Sequence, residues 1–286
     1  TEVLSFDNSK NRIPLINKRI KQEDFKTTIP QDVLLKCAEM SHIVYDWHED
    51  FEINREFKNY TILAIEGTDE KSDWASNINM FRNDDVHRGF LLNANRVLAA
   101  LILGYRALKR GRKLIFTGHS LGGATAAALA DLMISTGNYN IALVTFGAPR
   151  PGGRNMRRRL RNSGIEMLRF VHGDDIIPKT PSFILGFSHP CDYILLKDIN
   201  DTFADGVADH LMGSYRTQLV KFCNELNEDQ IPNEVGDEDR FYDENADDID
   251  DFINDIENNL NTMSKQLFEK IDTESTINTP FLSQNQ

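Results

Sequence analysis

The chain has 286 residues, 40% of them apolar and 27% charged, with a formal net charge of −12. A chain of that size and composition can bury a sizeable core, which excludes fibrous, collagen-like and wholly disordered proteins. The charge is uneven: Glu225 to Glu257 holds 15 acidic residues against Arg240 alone, which leaves 29 acids and 31 bases elsewhere. The acidic balance, with no binding motif, excludes a nucleic-acid role.

No apolar run reaches the roughly 18 to 20 residues that cross a bilayer. The opening TEVLSFDNSKNRIPLINKRIK is too polar for a secretory signal peptide. Cys37, Cys191 and Cys223 are odd in number, far apart and outside metal-ligand spacing, a usage that predicts free thiols in a reducing compartment. The expectation is a soluble, cytoplasmic or similarly reduced protein without disulfides, metal or cofactor; export without a signal peptide stays open.

In chain order, residues 1–29 read as an N-terminal extension. From Pro30 to Cys223 strand and helix patterns alternate. YTILAIEG (60–67) predicts a strand, LLNANRVLAALILGYRALKRG (91–111) an amphipathic helix, and KLIFTG (113–118) a second strand followed by an alanine-rich helix. IALVTFG (141–147), EMLRFVH (166–172) and CDYILLK (191–197) predict further strands, with an arginine-rich helix at 154–162 between the first two. Apolar strands alternating with helices predict the α/β class, with a mostly parallel central sheet covered by helices on both faces. Residues 30–223 are therefore expected to form one domain.

Residues 224–245 predict an acidic linker. In 246–286 the residues Ile249, Phe252, Ile253, Ile256, Leu260, Met263, Leu267 and Ile271 recur at steps of three and four, one apolar stripe along a helix before an unstructured end. That stripe fits docking onto the main domain, self-association, or a partner helix.

In sheets of this class ligands lie beyond the carboxyl ends of the strands, which directs attention to Thr68, Ser120 and Asp175. Gly118-His119-Ser120-Leu121-Gly122 fits the G-x-S-x-G elbow, in which a sharp strand-to-helix turn lifts the serine hydroxyl above the sheet. The pentapeptide alone is common, and a serine before a helix is ordinarily a cap; the strand before it and the alanine-rich helix after it point to a nucleophile. A serine needs a histidine base and an orienting carboxylate, here in the order Ser, Asp, His. RFVHGDDIIPKTP supplies Asp174 or Asp175 at a strand end. Downstream lie His189, before Pro190 and a strand, and His210, which begins an amphipathic helix and is the favoured base. The backbone N–H of Leu121, next after the serine, is the expected oxyanion donor.

IEGTDEKSDWASN, VHRGF, GHSLGGA, VTFGAPRPGG and DDIIPKTP stand in the order and approximate spacing of one family. Over residues 30–222 the chain resembles the class 3 lipases, the fungal-lipase-like branch of the α/β-hydrolases. The resemblance implies a serine hydrolase of lipid carboxylic esters, whether acylglycerols or phospholipids. It selects Asp175, which stands directly before two aliphatic residues and a proline, and His210 in Asp209-His210-Leu211, and it gives His189 no catalytic part. It implies Thr68 as the second oxyanion donor and Trp74 as a lid residue over the acyl site, although an anchor for a surface loop fits Trp74 equally. His87 and Gly89 correspond to structural positions. Where the family usually carries Arg or another residue before this Gly-Thr, the chain has Glu66.

Six arginines fall between Arg150 and Arg161, and KRGRK stands at 109–113. Such clusters suit a solvated face, a transient contact with anionic lipid headgroups, or the acidic tail. The rival to an enzyme is an idle lipase-like scaffold that binds a partner through that tail.

Overall fold

The computed structural model describes residues 17–46, 51–54, 56–67, 82–83, 86–104, 112–136, 140–196 and 209–232. Thr68, Trp74, the acidic segment beyond Pro232 and the stripe from Ile249 to Ile271 lie outside the described residues.

Among the described residues the main sheet has seven strands: β1 (Arg19–Ile20), β2 (Phe51–Asn54), β3 (Tyr60–Ile65), β6 (Lys113–His119), β7 (Ile141–Phe146), β8 (Glu166–Val171) and β9 (Tyr193–Leu195). Their order across the sheet is β1-β9-β8-β7-β6-β3-β2, parallel throughout except for the antiparallel β2–β3 pair. A separate short pair joins β4 (Arg82–Asn83) to β5 (Val86–His87). The central strands are built from β-branched, aromatic and small apolar residues, the composition that suits a strand buried on both faces.

Successive side chains alternate across the sheet, and each face has its own core. Ile62, Ala64, Ile115, Val144, Phe146 and Phe170 face α1 (Gln31–Ile43) and α5 (Met212–Asn224). Leu63, Ile65, Phe116 and Leu143 face α2 (Arg88–Gly104), α3 (Leu121–Thr136) and α4 (Arg154–Asn162). Fully burying one such side chain contributes about 1.5–3 kcal/mol, so neither layer is dispensable.

Several elements depart from the sequence-based expectation. Strands β1 and β2 have two and four residues, too short to display a period. The first α-helix follows Pro30 directly, where the fixed ring φ suits a helix start. Residues 19–29 close one sheet edge through β1 and bury Phe25 and Ile29 in the core.

The arginine-rich α4 is not simply a solvated face. Met156, Arg157 and Leu160 point inward, Arg159 grips the buried Asp131 of α3 through two bonds of 2.8 and 2.5 Å, and Arg161 reaches Asp192 at 3.0 Å. Arg154 and Arg158 stay exposed. The charges predicted as a cluster therefore serve three different surroundings.

Glu166, at the start of β8, accepts from Thr27 Oγ1 at 2.6 Å and Thr28 N at 2.8 Å, from Thr28 Oγ1, and from Lys113 Nζ at 3.1 Å. Burial pushes its carboxyl upward, but these donors favour the ionised form and hold it below the usual carboxylate range. This interaction stabilises the fold above the unfolded carboxyl value and is lost as pH falls through the depressed one. Glu166→Gln is expected to lower stability by about 2 kcal/mol near neutrality. Denaturant titrations should show the gap closing as pH falls below about 4.5.

Candidate active site

Ser120 occupies the turn between β6 and α3. Among the described residues it is the one non-glycine with positive φ, at 54°. A side chain held in the left-handed region costs of order 1–3 kcal/mol and persists where the surroundings over-determine it. Here they do: Ser120 N donates to Phe146 O at 2.9 Å, and its carbonyl accepts from Gly123 and Ala124 at 3.1 and 3.3 Å. A Cβ at Gly122 would strike the carbonyl of Ile65, and one at Gly118 would come within 2.5 Å of the Gly122 carbonyl carbon. Both positions exclude side chains because α3 begins against the ends of β3 and β6.

From Gly122 to Asp131 every residue of α3 is buried, the pattern of a helix that runs through the interior rather than over a surface. Its alanines let it lie close, which places its first turn beside Ser120. The N–H groups of a first helical turn lack intrahelical acceptors and face outward with the positive dipole end. Leu121 supplies the first of them.

Three elements remote in sequence complete the cluster. His210, two residues before α5, accepts the Ser120 hydroxyl at Nε2 over 2.8 Å. Its Nδ1–H donates to Asp175 Oδ2, also at 2.8 Å. Asp175, on the loop after β8, is fully buried, whereas the His210 side chain keeps 19% exposure. Ile177 N donates to Asp175 Oδ1 at 2.9 Å and Tyr215 Oη to Oδ2 at 2.6 Å. Burial, then the adjacent Asp175 charge, pushes Tyr215 well above its ordinary value, so it is a permanent donor.

A second set of contacts holds the base from behind. His119 Nε2–H donates to the backbone carbonyl of His210 at 2.7 Å, and His119 Nδ1 lies 3.0 Å from the Tyr45 hydroxyl, whose proton it accepts in that tautomer. Burial, with smaller repulsion from His210, drives His119 down to about 3. Asp209 Oδ2 accepts from Asp174 N at 2.9 Å, and its backbone carbonyl from His172 Nδ1 at 3.1 Å. The Asp175 loop and the His210 segment are thereby tied together.

The structure thus brings Ser120, His210 and Asp175 together with the first turn of α3, and leaves the other candidates apart. Asp174 lies 4.0 Å from Lys179. His189 is buried and donates from Nε2 to Pro178 O at 2.7 Å. Gly89 N donates to His87 Nδ1 at 3.2 Å, and the His87 ring stacks at 4.3 Å on Phe90. Tyr45 and Tyr215 were missed. Tyr215 stands five residues after His210, so helix periodicity places it on the side of α5 that faces the sheet, whereas nothing near Tyr45 marks it. Among the described residues no cluster of His, Cys, Asp or Glu has the arrangement of a metal site.

His119 is expected to stay neutral at roughly pH 5, where an ordinary histidine is protonated. Ring chemical shifts followed by NMR titration would show this. A midpoint near 6.5 would contradict the buried, hydrogen-bonded assignment.

Comparison with known proteins finds a family likeness over part of the chain. The lipase (class 3) family matches residues 62–184. A secreted mono- and diacylglycerol lipase of Fusarium solani is 29% identical over 138 residues, 45% of this chain and 41% of that protein. A lipase of Rhizomucor miehei is 37% identical over 120 residues, 40% and 33% of the respective chains. A chloroplastic phospholipase A1 of Arabidopsis thaliana is 33% identical over 82 residues, 26% and 16%. The chain spans less than half the length of each of these relatives. The matched segment runs from β3 past the Ser120 turn and the Asp175 loop, and over it the chain is similar to the class 3 lipases.

Proposed function

We propose that the protein is a serine hydrolase of carboxylic esters of lipids. The observation that carries this reading is the hydrogen-bonded chain Ser120–His210–Asp175 at the strand ends, with Ser120 strained into a left-handed turn. Its relatives are named as acylglycerol lipases and a phospholipase A1. The reading therefore rests on the bond the two classes share, the ester between a fatty acyl group and an alcohol.

Ser120 Oγ attacks the ester carbonyl as His210 Nε2 takes the hydroxyl proton, and Asp175 stabilises the imidazolium that forms. The oxyanion receives the N–H of Leu121, and, as the family resemblance implies, Thr68 supplies the second donor. His210 then protonates the departing alcohol. Water, deprotonated by His210, attacks the acyl-enzyme, releases the fatty acid and restores Ser120. No external co-reactant other than water is required. Tyr215 supports this sequence by fixing the Asp175 carboxylate while the positive charge on His210 appears and disappears.

A fluorophosphonate probe tests the assignment directly: the wild type is expected to label at Ser120, and Ser120→Ala to abolish labelling. Folded wild-type protein that fails to label would sink the enzyme reading in favour of an idle scaffold. Ser120→Ala and His210→Ala should each lower kcat by roughly 10⁵- to 10⁶-fold, and the double variant by little more, because the two act as a unit. Thr68→Val is expected to reduce kcat by about 10²- to 10³-fold with KM little changed. Rates on a soluble short-chain ester would measure both.

A further inference from the structure

Beside the Asp175 loop opens a cavity of about 310 Å³ whose wall includes neither Ser120 nor His210. Exposure separates its floor from its mouth. Arg157 (3%), Arg169 (5%) and His189 (5%) lie deep, whereas Lys179, with 64% of its side chain exposed, and Phe183, at 61%, stand at the opening.

Among the described residues the floor is lined by the cationic side chains of Arg157 and Arg169. Asp175 is already occupied by His210, Tyr215 and Ile177 N, and Asp174 sits beside Lys179 at the rim. Arg150, also in the wall, is committed to the carbonyls of Lys179 and Pro181. The Arg169 guanidinium lies 5.1 Å from the Tyr193 ring centroid, and its Nε has no hydrogen-bond partner among the described residues. Burial pushes Arg157 and Arg169 down to about 10 each, so both remain charged at neutral pH. Burial, then the charge of Arg169, holds His189 well below its ordinary value, which keeps it neutral. The Arg169 guanidinium, buried in the cavity wall with its Nε unbonded among the described residues, calls for an anion, and its planar donor fork matches phosphoryl oxygens.

The mouth has a different chemistry. Phe183, Ile184 and Leu185 form a single 3-10 turn, at 61%, 80% and 45% exposure. Ser182 Oγ caps it by accepting from Ile184 N at 3.3 Å, and Gly186 closes it at φ 85°. Three exposed apolar residues fixed on a capped turn are unusual for a surface in contact with water alone. Ile176, next to Asp175, and Leu211, next to His210, are exposed at 47% and 48% and bring further apolar surface to the catalytic loops.

We propose that the cavity seats the phosphoryl headgroup of an anionic phospholipid while the Phe183–Leu185 turn enters the acyl layer, tethering the protein to a membrane surface. A free phosphate would satisfy the floor but leave the turn in water, and the acidic tail would meet an apolar mouth; a phospholipid answers both halves. The tether is independent of the chemistry at Ser120, although its use to the cell rests on the hydrolase reading.

Two measurements on the full chain test it: co-sedimentation with phosphatidylcholine vesicles, with or without phosphatidic acid, and thermal unfolding in inorganic phosphate against sodium chloride at equal ionic strength. The expected result is sedimentation only with phosphatidic acid present, and a higher Tm in phosphate. Arg169→Gln should weaken both about tenfold or more. Should that buried substitution prevent folding, Lys179→Glu at the exposed mouth replaces it. The double substitution Phe183→Asp, Ile184→Asp should abolish sedimentation and leave the phosphate effect. Equal sedimentation with both vesicle types, or full sedimentation of the arginine and lysine variants, would overturn the proposal. A phosphate effect without vesicle binding would assign the cavity to free phosphate and overturn the lipid. Stabilisation by an added peptide of residues 233–257, and not by phosphate, would assign it to the tail. Sedimentation needs no turnover, so its failure and a failure of fluorophosphonate labelling are read separately.

Discussion

The close approach of α3 to the ends of β3 and β6 is the constraint from which the rest of the site follows. A helix can begin there only if no side chain separates it from the strand ends, which is why glycine occupies 118 and 122. It also forces Ser120 into a backbone region that side-chain-bearing residues rarely adopt. The strain is supported on every side: by the Phe146 carbonyl, by the first turn of α3, and by two apolar cores that grip the sheet from opposite faces. Relaxing the turn would require moving a helix buried continuously from Gly122 to Asp131, so the hydroxyl is presented rigidly and in one orientation.

Around that fixed point the remaining groups are arranged in shells of decreasing accessibility. His210 touches water, whereas Asp175 and Tyr215 do not, and the Tyr215 ring meets Phe146 edge-on. The ordering has an electrostatic reason. The carboxylate is most effective where the local dielectric is low, and it tolerates that position because Ile177 N, Tyr215 and His210 all donate to it. A proton-shuttling base, by contrast, has to meet solvent or substrate.

Much of this was legible in the sequence, for physical reasons that also explain what was not. Long buried parallel strands such as IALVTF announce themselves as apolar runs, and the Ser120 turn is encoded locally by glycines and alanines within a few residues. Asp175 and His210 are single residues whose meaning depends on chain order, and family likeness was needed to prefer Asp175 over Asp174. Strands β1 and β2 were hidden because so few residues carry no period. Arg157 was misread as surface because its type argues for exposure, while its place on the inward side of α4 beside Met156 and Leu160 decides otherwise. Tyr45 reaches His119 only through tertiary packing, and no local pattern foretells it.

The bond from His119 to the backbone of His210 joins neighbours of both reacting groups, since His119 directly precedes Ser120 in the chain. Thermal motion that displaces the β6–α3 turn therefore carries the His210 backbone with it. Fluctuations of the two groups become correlated, and their separation varies less than the position of either alone. For the proposed transfer of a proton across 2.8 Å, it is this relative coordinate, and not absolute stillness, that has to be held.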